Sequence, residues 1–233
     1  MGMSFSPTQG DLERYRRLRA ISMDLNQTIT KTIPRKAIYE VGDAMGILRD
    51  GIIVLDSEDM SSVLMDCCLY DWFENGKNIV QRYAEQHATM AQTDEQYLLR
   101  AYLAAKYRVL VVESALPGSG LYCQDVLNGG GLFLMDVGLS RSIPVGEAAF
   151  ATRTIPLGEH WMTTGAGLPI TSPEEMLKIW NRTKGENQRL LEGPSAVPLL
   201  IVRACLATGA ADYVKYESVA KHPKKKARRW RRF

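Results

Sequence analysis

Near residue 106 the apolar pattern changes period, and this change constrains the fold more than any other feature of the chain. Upstream, apolar side chains recur every three to four residues, the spacing of an amphipathic helix. Downstream they alternate, the spacing of a half-buried strand. The alternating segments are Tyr107–Glu113, Leu121–Leu127, Leu132–Val137, Ala148–Pro156 and Trp161–Gly165. Turn residues join them: Pro117-Gly118-Ser119-Gly120, Asn128-Gly129-Gly130-Gly131, Pro144-Val145-Gly146 and Pro156-Leu157-Gly158. Five short strands over about sixty residues, with tight links, predict a small closed barrel.

The helices before the barrel carry their own start and stop signals. Leu12, Tyr15, Leu18, Ile21, Leu25 and Ile29 form one apolar stripe. A second helix follows Pro34, which suits a first turn. Ser57 is placed to cap a third, with Glu58 and Asp59 at the positive end of its dipole and Asn75-Gly76 as its stop. A fourth spans Lys77 to His87, and Thr93-Asp94-Glu95-Gln96 reads as the capping box of a fifth. Beyond the barrel, Ser172-Pro173-Glu174-Glu175 opens a helix, Gly193-Pro194 interrupts the pattern, and Ala196 to Ala207 is again helical and apolar.

The expected architecture is α+β: a helical N-terminal part over 1–106, then a small five-stranded antiparallel barrel of the SH3-like or OB-like kind over 107–170. C-terminal helices follow over 171–220, and a basic tail over 221–233 that is disordered unless bound. At 233 residues the chain can bury a sizeable core. No apolar run approaches the roughly 20 residues of a membrane-spanning helix.

The segments Leu64-Met65-Asp66 to Leu69-Tyr70-Asp71, Leu99-Arg100-Ala101-Tyr102 and Tyr107-Arg108-Val109-Leu110-Val111-Val112 carry a family resemblance. So do Gly120, Asp125-Val126-Leu127, Asp136-Val137-Gly138-Leu139-Ser140 and Ala151-Thr152-Arg153. Over roughly residues 35–170 this pattern resembles uncharacterised bacterial proteins, in the region upstream of their SEC-C motif. The SEC-C zinc knuckle needs three Cys and a further Cys or His, and none of Cys67, Cys68, Cys123 and Cys205 is placed for it. The resemblance therefore implies a bacterial cytoplasmic protein of unknown function, without zinc. It transfers no activity, and its one functional pointer is the usual association of the zinc knuckle, missing here, with ribosomes or partner proteins.

Charge supplies the functional reading. The chain carries a net charge of +3, but the last 13 residues hold eight basic side chains and no acidic one. The first 220 residues hold 21 basic and 26 acidic side chains, a net of −5. In the tail, Lys221, Lys224, Lys225, Lys226, Arg228, Arg229, Arg231 and Arg232 are interleaved with Trp230 and Phe233. Cations contact phosphates whatever the sequence, and aromatic rings stack on unpaired bases. Residues 221–232 are thus the candidate contacts to RNA, DNA or a ribosome. An acidic protein or lipid surface is the other kind of partner such a tail suits. Arg14, Arg16, Arg17 and Arg19 are read as a solvated helix face paired with Asp11 and Glu13.

Other chemistry is thinly represented. Four Cys without a C-x-x-C pair read as reduced, buried thiols of a cytoplasmic protein. A Ser140/His160/Asp136 triad can be written, but no G-x-S-x-G elbow supports it. Asp66 and Asp71, five apart on a helix, do not share a face, and Asp125 and Asp136 read as turn caps. The glycines at 129–131 lack the helix and Lys of a phosphate loop. Tyr107, Tyr122, Phe133 and Trp161 are read as barrel core, with an exposed binding face as the alternative. The expectation is a non-catalytic binding protein without cofactor or metal, attached to nucleic acid or a ribosome through its tail. A protein–protein adaptor is the alternative and a hydrolase built on His160 the third reading. Oligomeric state is not legible.

Overall fold

The computed structural model of the chain describes residues 6–55, 57–89, 91–143, 148–170 and 196–207, with positions 174, 178, 181 and 182. The helical half opens with α1 (Gln9–Thr30), whose first turn is closed by a capping box between Thr8 and Asp11. Next come α2 (Arg35–Met45), the two-residue hairpin β1 (Leu48–Arg49) and β2 (Ile52–Ile53), and α3 (Glu58–Asp71). Ser57 caps α3 by accepting from the Met60 N–H, as its position predicted.

Asn75-Gly76 plays a different part from the expected helix stop. α3 ends at Asp71, where Trp72 turns extended. Asn75 and Gly76, both at positive φ, form the tight turn between β3 (Phe73–Glu74) and β4 (Lys77–Asn78). Asn78 then caps α4 (Ile79–Gln86). The capping box expected at Thr93 is half formed. Thr93 accepts from the Gln96 N–H at the start of α5 (Asp94–Leu103), but the Gln96 side chain turns away to donate to the His87 carbonyl, 2.9 Å.

The barrel comprises β5 (Lys106–Leu116), β6 (Gly120–Asp125), β7 (Gly131–Met135), β8 (Ala149–Leu157) and β9 (His160–Ile170), with the short helix α6 (Leu139–Ser142) between β7 and β8. It is closed in the order β5-β6-β7-β9-β8. Here the all-antiparallel expectation is corrected. β7 and β9 run parallel and meet at Leu134 and Trp161, while the other four seams are antiparallel. Hairpins force antiparallel neighbours, but β7 and β9 are joined through α6 and β8, so nothing local sets their direction. The last helix, α7 (Ala196–Ala207), covers the expected span. Of the helix expected from Ser172, positions 174, 178, 181 and 182 are helical. The rest of it, Gly193-Pro194 and the tail lie outside the described residues.

Two cores result from the strand pleat. Leu110, Val112, Leu121, Cys123, Leu134 and Phe150 point inward and fill the barrel together with Leu139. Alternate residues, among them Tyr107, Val109, Ala151, Ile155 and Met162, point outward into a larger core shared with the helices. α3 packs on β9 and α2, α1 on α5, and α7 on α2. The interface is tied by charge as well. Arg153 of β8 points outward, donates from Nε to Asp66 Oδ2 at 2.8 Å, and is paired through its second arm with Asp71. The two carboxylates expected on different faces of α3 converge on one guanidinium, because Asp71 closes the helix and the arginine is long enough to reach both.

Candidate functional site

The nine candidate contacts, Lys221, Lys224, Lys225, Lys226, Arg228, Arg229, Trp230, Arg231 and Arg232, lie outside the described residues.

On β6 and β7 the inward positions are Leu121, Cys123 and Leu134. The pleat therefore turns Tyr122 and Phe133, partners in register, to the outside. Their rings meet edge to face at 4.9 Å between centroids. Phe133 is buried and its ring lies over Gly120, where a Cβ would overlap both the Leu134 carbonyl oxygen and the Phe133 ring. Tyr122 remains half-buried. Phe133 is held within the core shared with the helices, and Tyr122 packs at the edge of that core. Ser114 and exposed Leu116 of β5 pair with Tyr122 and Gly120 and extend the same face.

The loop entering this face is held by α6. The Ser140 hydroxyl donates to the Val137 carbonyl and accepts from the Gly118 N–H, each at 3.0 Å. Exposed Arg141 leans over Gly118, close enough that a Cβ there would stand 3.4 Å from its terminal nitrogen. Sequence reading missed this cation, since a single arginine before an uncertain loop carries no pattern.

The opposite end of the barrel is plugged. Arg108 points inward from β5, donates from Nε to the Thr154 hydroxyl at 2.8 Å and is paired with Asp125. Its guanidinium lies 4.2 Å from the centre of the Trp161 ring. Asp125 also accepts from the Leu127 and Asn128 N–H groups, both at 3.0 Å, as a turn cap should. Burial pushes its carboxyl up, but the bonds from Asn128, Arg108 and Leu127 outweigh that and hold it below the usual range. Of the four barrel aromatics, Tyr107 and Phe133 are core, Trp161 is half-buried against Arg108, and Tyr122 is half-buried on the outer face. The core they join is the one between helices and barrel, not the barrel interior.

A cleft of about 290 Å³ lies where α1, α3 and β9 meet, lined by Arg19, Glu58, Asp59, Ser62, Asp136 and Thr163 among others. Burial and the charge of Glu58 push the Asp59 carboxyl up. Three carboxylates against one guanidinium make the cleft unfavourable for a phosphate. The hydrolase constellation is not brought together there. Asp136 accepts from the Leu139 N–H at 2.9 Å and from the Thr163 hydroxyl at 3.2 Å, Ser140 is committed to backbone, and His160 is not among the lining residues. Burial lowers the His160 pKa.

The α1 arginines differ from expectation. Arg17 pairs with Asp94 of α5 at 2.6 Å, Arg14 lies over the Tyr97 ring, and Arg19 donates to the Thr163 carbonyl at 2.6 Å. Asp11 and Glu13 bond to Thr8 and Gln9 instead. The arginines of a long helix meet a second helix before they meet their own neighbours.

Among the described residues, no group of three His, Cys, Asp or Glu is arranged to hold a metal ion, and no helix is long and apolar enough to cross a membrane. Compared with known proteins, residues 9–188 match a family of unknown function (DUF7986). No curated protein matches the chain, and no solved structure does.

Proposed function

We propose that this chain, which belongs to the family of unknown function DUF7986, is a non-catalytic binding protein for single-stranded nucleic acid, free or exposed on a ribosome. The observation that carries the reading is the strand order of the barrel, taken with the half-buried Tyr122 ring on its outer face. Numbered within the barrel, the order is 1-2-3-5-4 with a parallel seam between strands 3 and 5, which is the strand order of an OB-fold. In OB-folds the face of strands 2 and 3 and the loop joining strands 1 and 2 bind oligonucleotides. Here those elements are β6, β7 and the loop at 117–119, where Tyr122 and Arg141 stand. The division of labour is physical. The eight tail cations supply phosphate affinity, and Tyr122 supplies a stacking surface for a base.

The test compares the full chain, a 1–220 truncation and Tyr122→Ala for binding to single-stranded RNA and duplex DNA in a salt series. Neutralising six to eight phosphates gives a log–log salt slope between about −4 and −7. Truncation flattens this slope. Tyr122→Ala weakens binding to single strands at every salt concentration and leaves the slope unchanged. Equal or absent binding by the full chain and the truncation overturns the reading.

The second reading, a protein adaptor, has one observation in its favour: a groove of about 680 Å³ between α4 and α5, lined by Ala84, Ala88, Leu99 and exposed Leu103. It predicts partner capture by the acidic body with little salt dependence.

A further inference from the structure

The interface between α3 and the barrel contains one buried cation and two buried carboxylates. Arg153, Asp66 and Asp71 are 4%, 7% and 7% exposed. A guanidinium stays charged at any pH a protein meets. With both carboxylates ionised, the centre therefore carries one net negative charge away from water, which is costly. The rings of Tyr70 and Tyr107 lie 4.4 and 5.2 Å from the guanidinium carbon and exclude water from it.

Among the described residues, the surroundings offer no second cation to cancel that charge. From α3 itself come Cys67, Cys68 and Tyr70, all ordinarily neutral. Tyr107 faces the centre from β5, Tyr102 meets Tyr70 from α5, and Cys205 of α7 lies near Tyr107. On α2, Glu40 accepts from Trp72 Nε1 just past the end of α3 and adds negative charge. From β4, Asn78 donates to the Tyr70 carbonyl. Arg19 of α1 borders the cleft that Asp66 lines, but its guanidinium is directed to the Thr163 carbonyl. β9 brings Thr164 and Ala166 beside Asp66, while its His160 stands by Asp11 and Arg14.

We propose that the Arg153–Asp66–Asp71 centre is a proton-operated latch between α3 and the barrel, closed when Asp71 holds a proton and loosened when that proton leaves. Burial is the largest influence on Asp71. Arg153 opposes it, the charge of Asp66 reinforces it, and the carboxyl is pushed up to about 7. Asp71 is therefore the member of the centre that holds the proton. The sign follows by linkage. Between the unfolded carboxyl value near 4 and about 7 the folded chain holds a proton that the unfolded chain has lost. Stability therefore falls as pH rises through that window and levels off above it, the unfolding equilibrium shifting by up to about tenfold per pH unit.

The experiment is urea unfolding of the full chain at pH 5 to 8, for the wild type, Asp71→Asn and Asp66→Asn, with infrared spectra of the folded wild type carrying ¹³C-labelled aspartate. Histidine titrations contribute equally to all three chains and cancel in the comparison. The expected result is a wild-type midpoint that drops with rising pH, a smaller drop in both variants, and a protonated carboxyl band present at pH 6 and lost by pH 8. Identical pH slopes in the wild type and Asp71→Asn overturn the latch. If neither variant folds, the labelled wild type decides alone: absence of a protonated carboxyl band at pH 6 overturns it.

Discussion

The carboxylate of Asp125 closes the turn after β6 and holds the inward-pointing guanidinium of Arg108 on β5. One pair thus joins two neighbouring strands, caps the loop between β6 and β7 and seals an end of the barrel beneath Trp161.

Asp125→Asn leaves a buried arginine facing a neutral amide and is expected to cost about 3–5 kcal/mol, the usual penalty for a buried charge stripped of its partner. The pH dependence goes with it. The folded carboxyl lies below its unfolded value, so its contribution is present above about pH 4 and lost as pH falls through the folded value. Urea midpoints at pH 7 and pH 3 check this: the gap between wild type and variant narrows in acid. A constant gap would show that the pair contributes no pH-linked stability.

Gly120→Ala places a methyl group against the backbone oxygen of Leu134 and the ring of Phe133. The oxygen cannot step aside without disturbing the β6–β7 ladder. The expected destabilisation is about 1–3 kcal/mol, and a thermal melt reads it. An unchanged Tm means that β6 and β7 lie farther apart than described.

Tyr102 and Ser22 bond through their hydroxyls at 2.7 Å, buried between α5 and α1. Tyr102→Phe removes one partner and leaves the other buried without it, at a cost of about 1–3 kcal/mol. A double-mutant cycle with Ser22→Ala isolates the pair, and additive single effects would mean that the bond contributes nothing.

All four cysteines are buried. Burial drives the Cys67 thiol well above its ordinary value and those of Cys68, Cys123 and Cys205 up to about 12. The native chain should therefore react with a thiol reagent at pH 8 only at its rate of opening, and all four should react at once in denaturant. A fast native site would place one of them at the surface.

The local pattern predicted the five barrel strands, though β9 runs on to Ile170 past the expected Gly165, the helix Ala196–Ala207, and the turn-capping roles of Asp125 and Asp136. It misassigned Asn75-Gly76, because a Gly at positive φ serves a helix end and a tight hairpin equally well. The tail cations enter the proposal from charge alone and lie outside the described residues. Tyr122 was legible only as a strand aromatic, since alternation gives two faces without saying which one the helices will cover. Arg108 and Arg153 were not legible as ion partners, because an arginine at either position of the pleat reads as a solvent-facing residue.

Periodicity, caps and turn chemistry act between residues a few positions apart, so the sequence alone determined the long helices and the five barrel strands, but not the two-residue hairpins β1–β2 and β3–β4. The parallel seam at Leu134 and Trp161, the choice of outer barrel face as the main core, and the convergence of Asp66 and Asp71 on Arg153 were decided by tertiary structure. Those last contacts bridge 87 and 82 residues. Their geometry exists only once the barrel has closed and α3 has packed across it, because no local rule constrains two side chains so far apart in the chain.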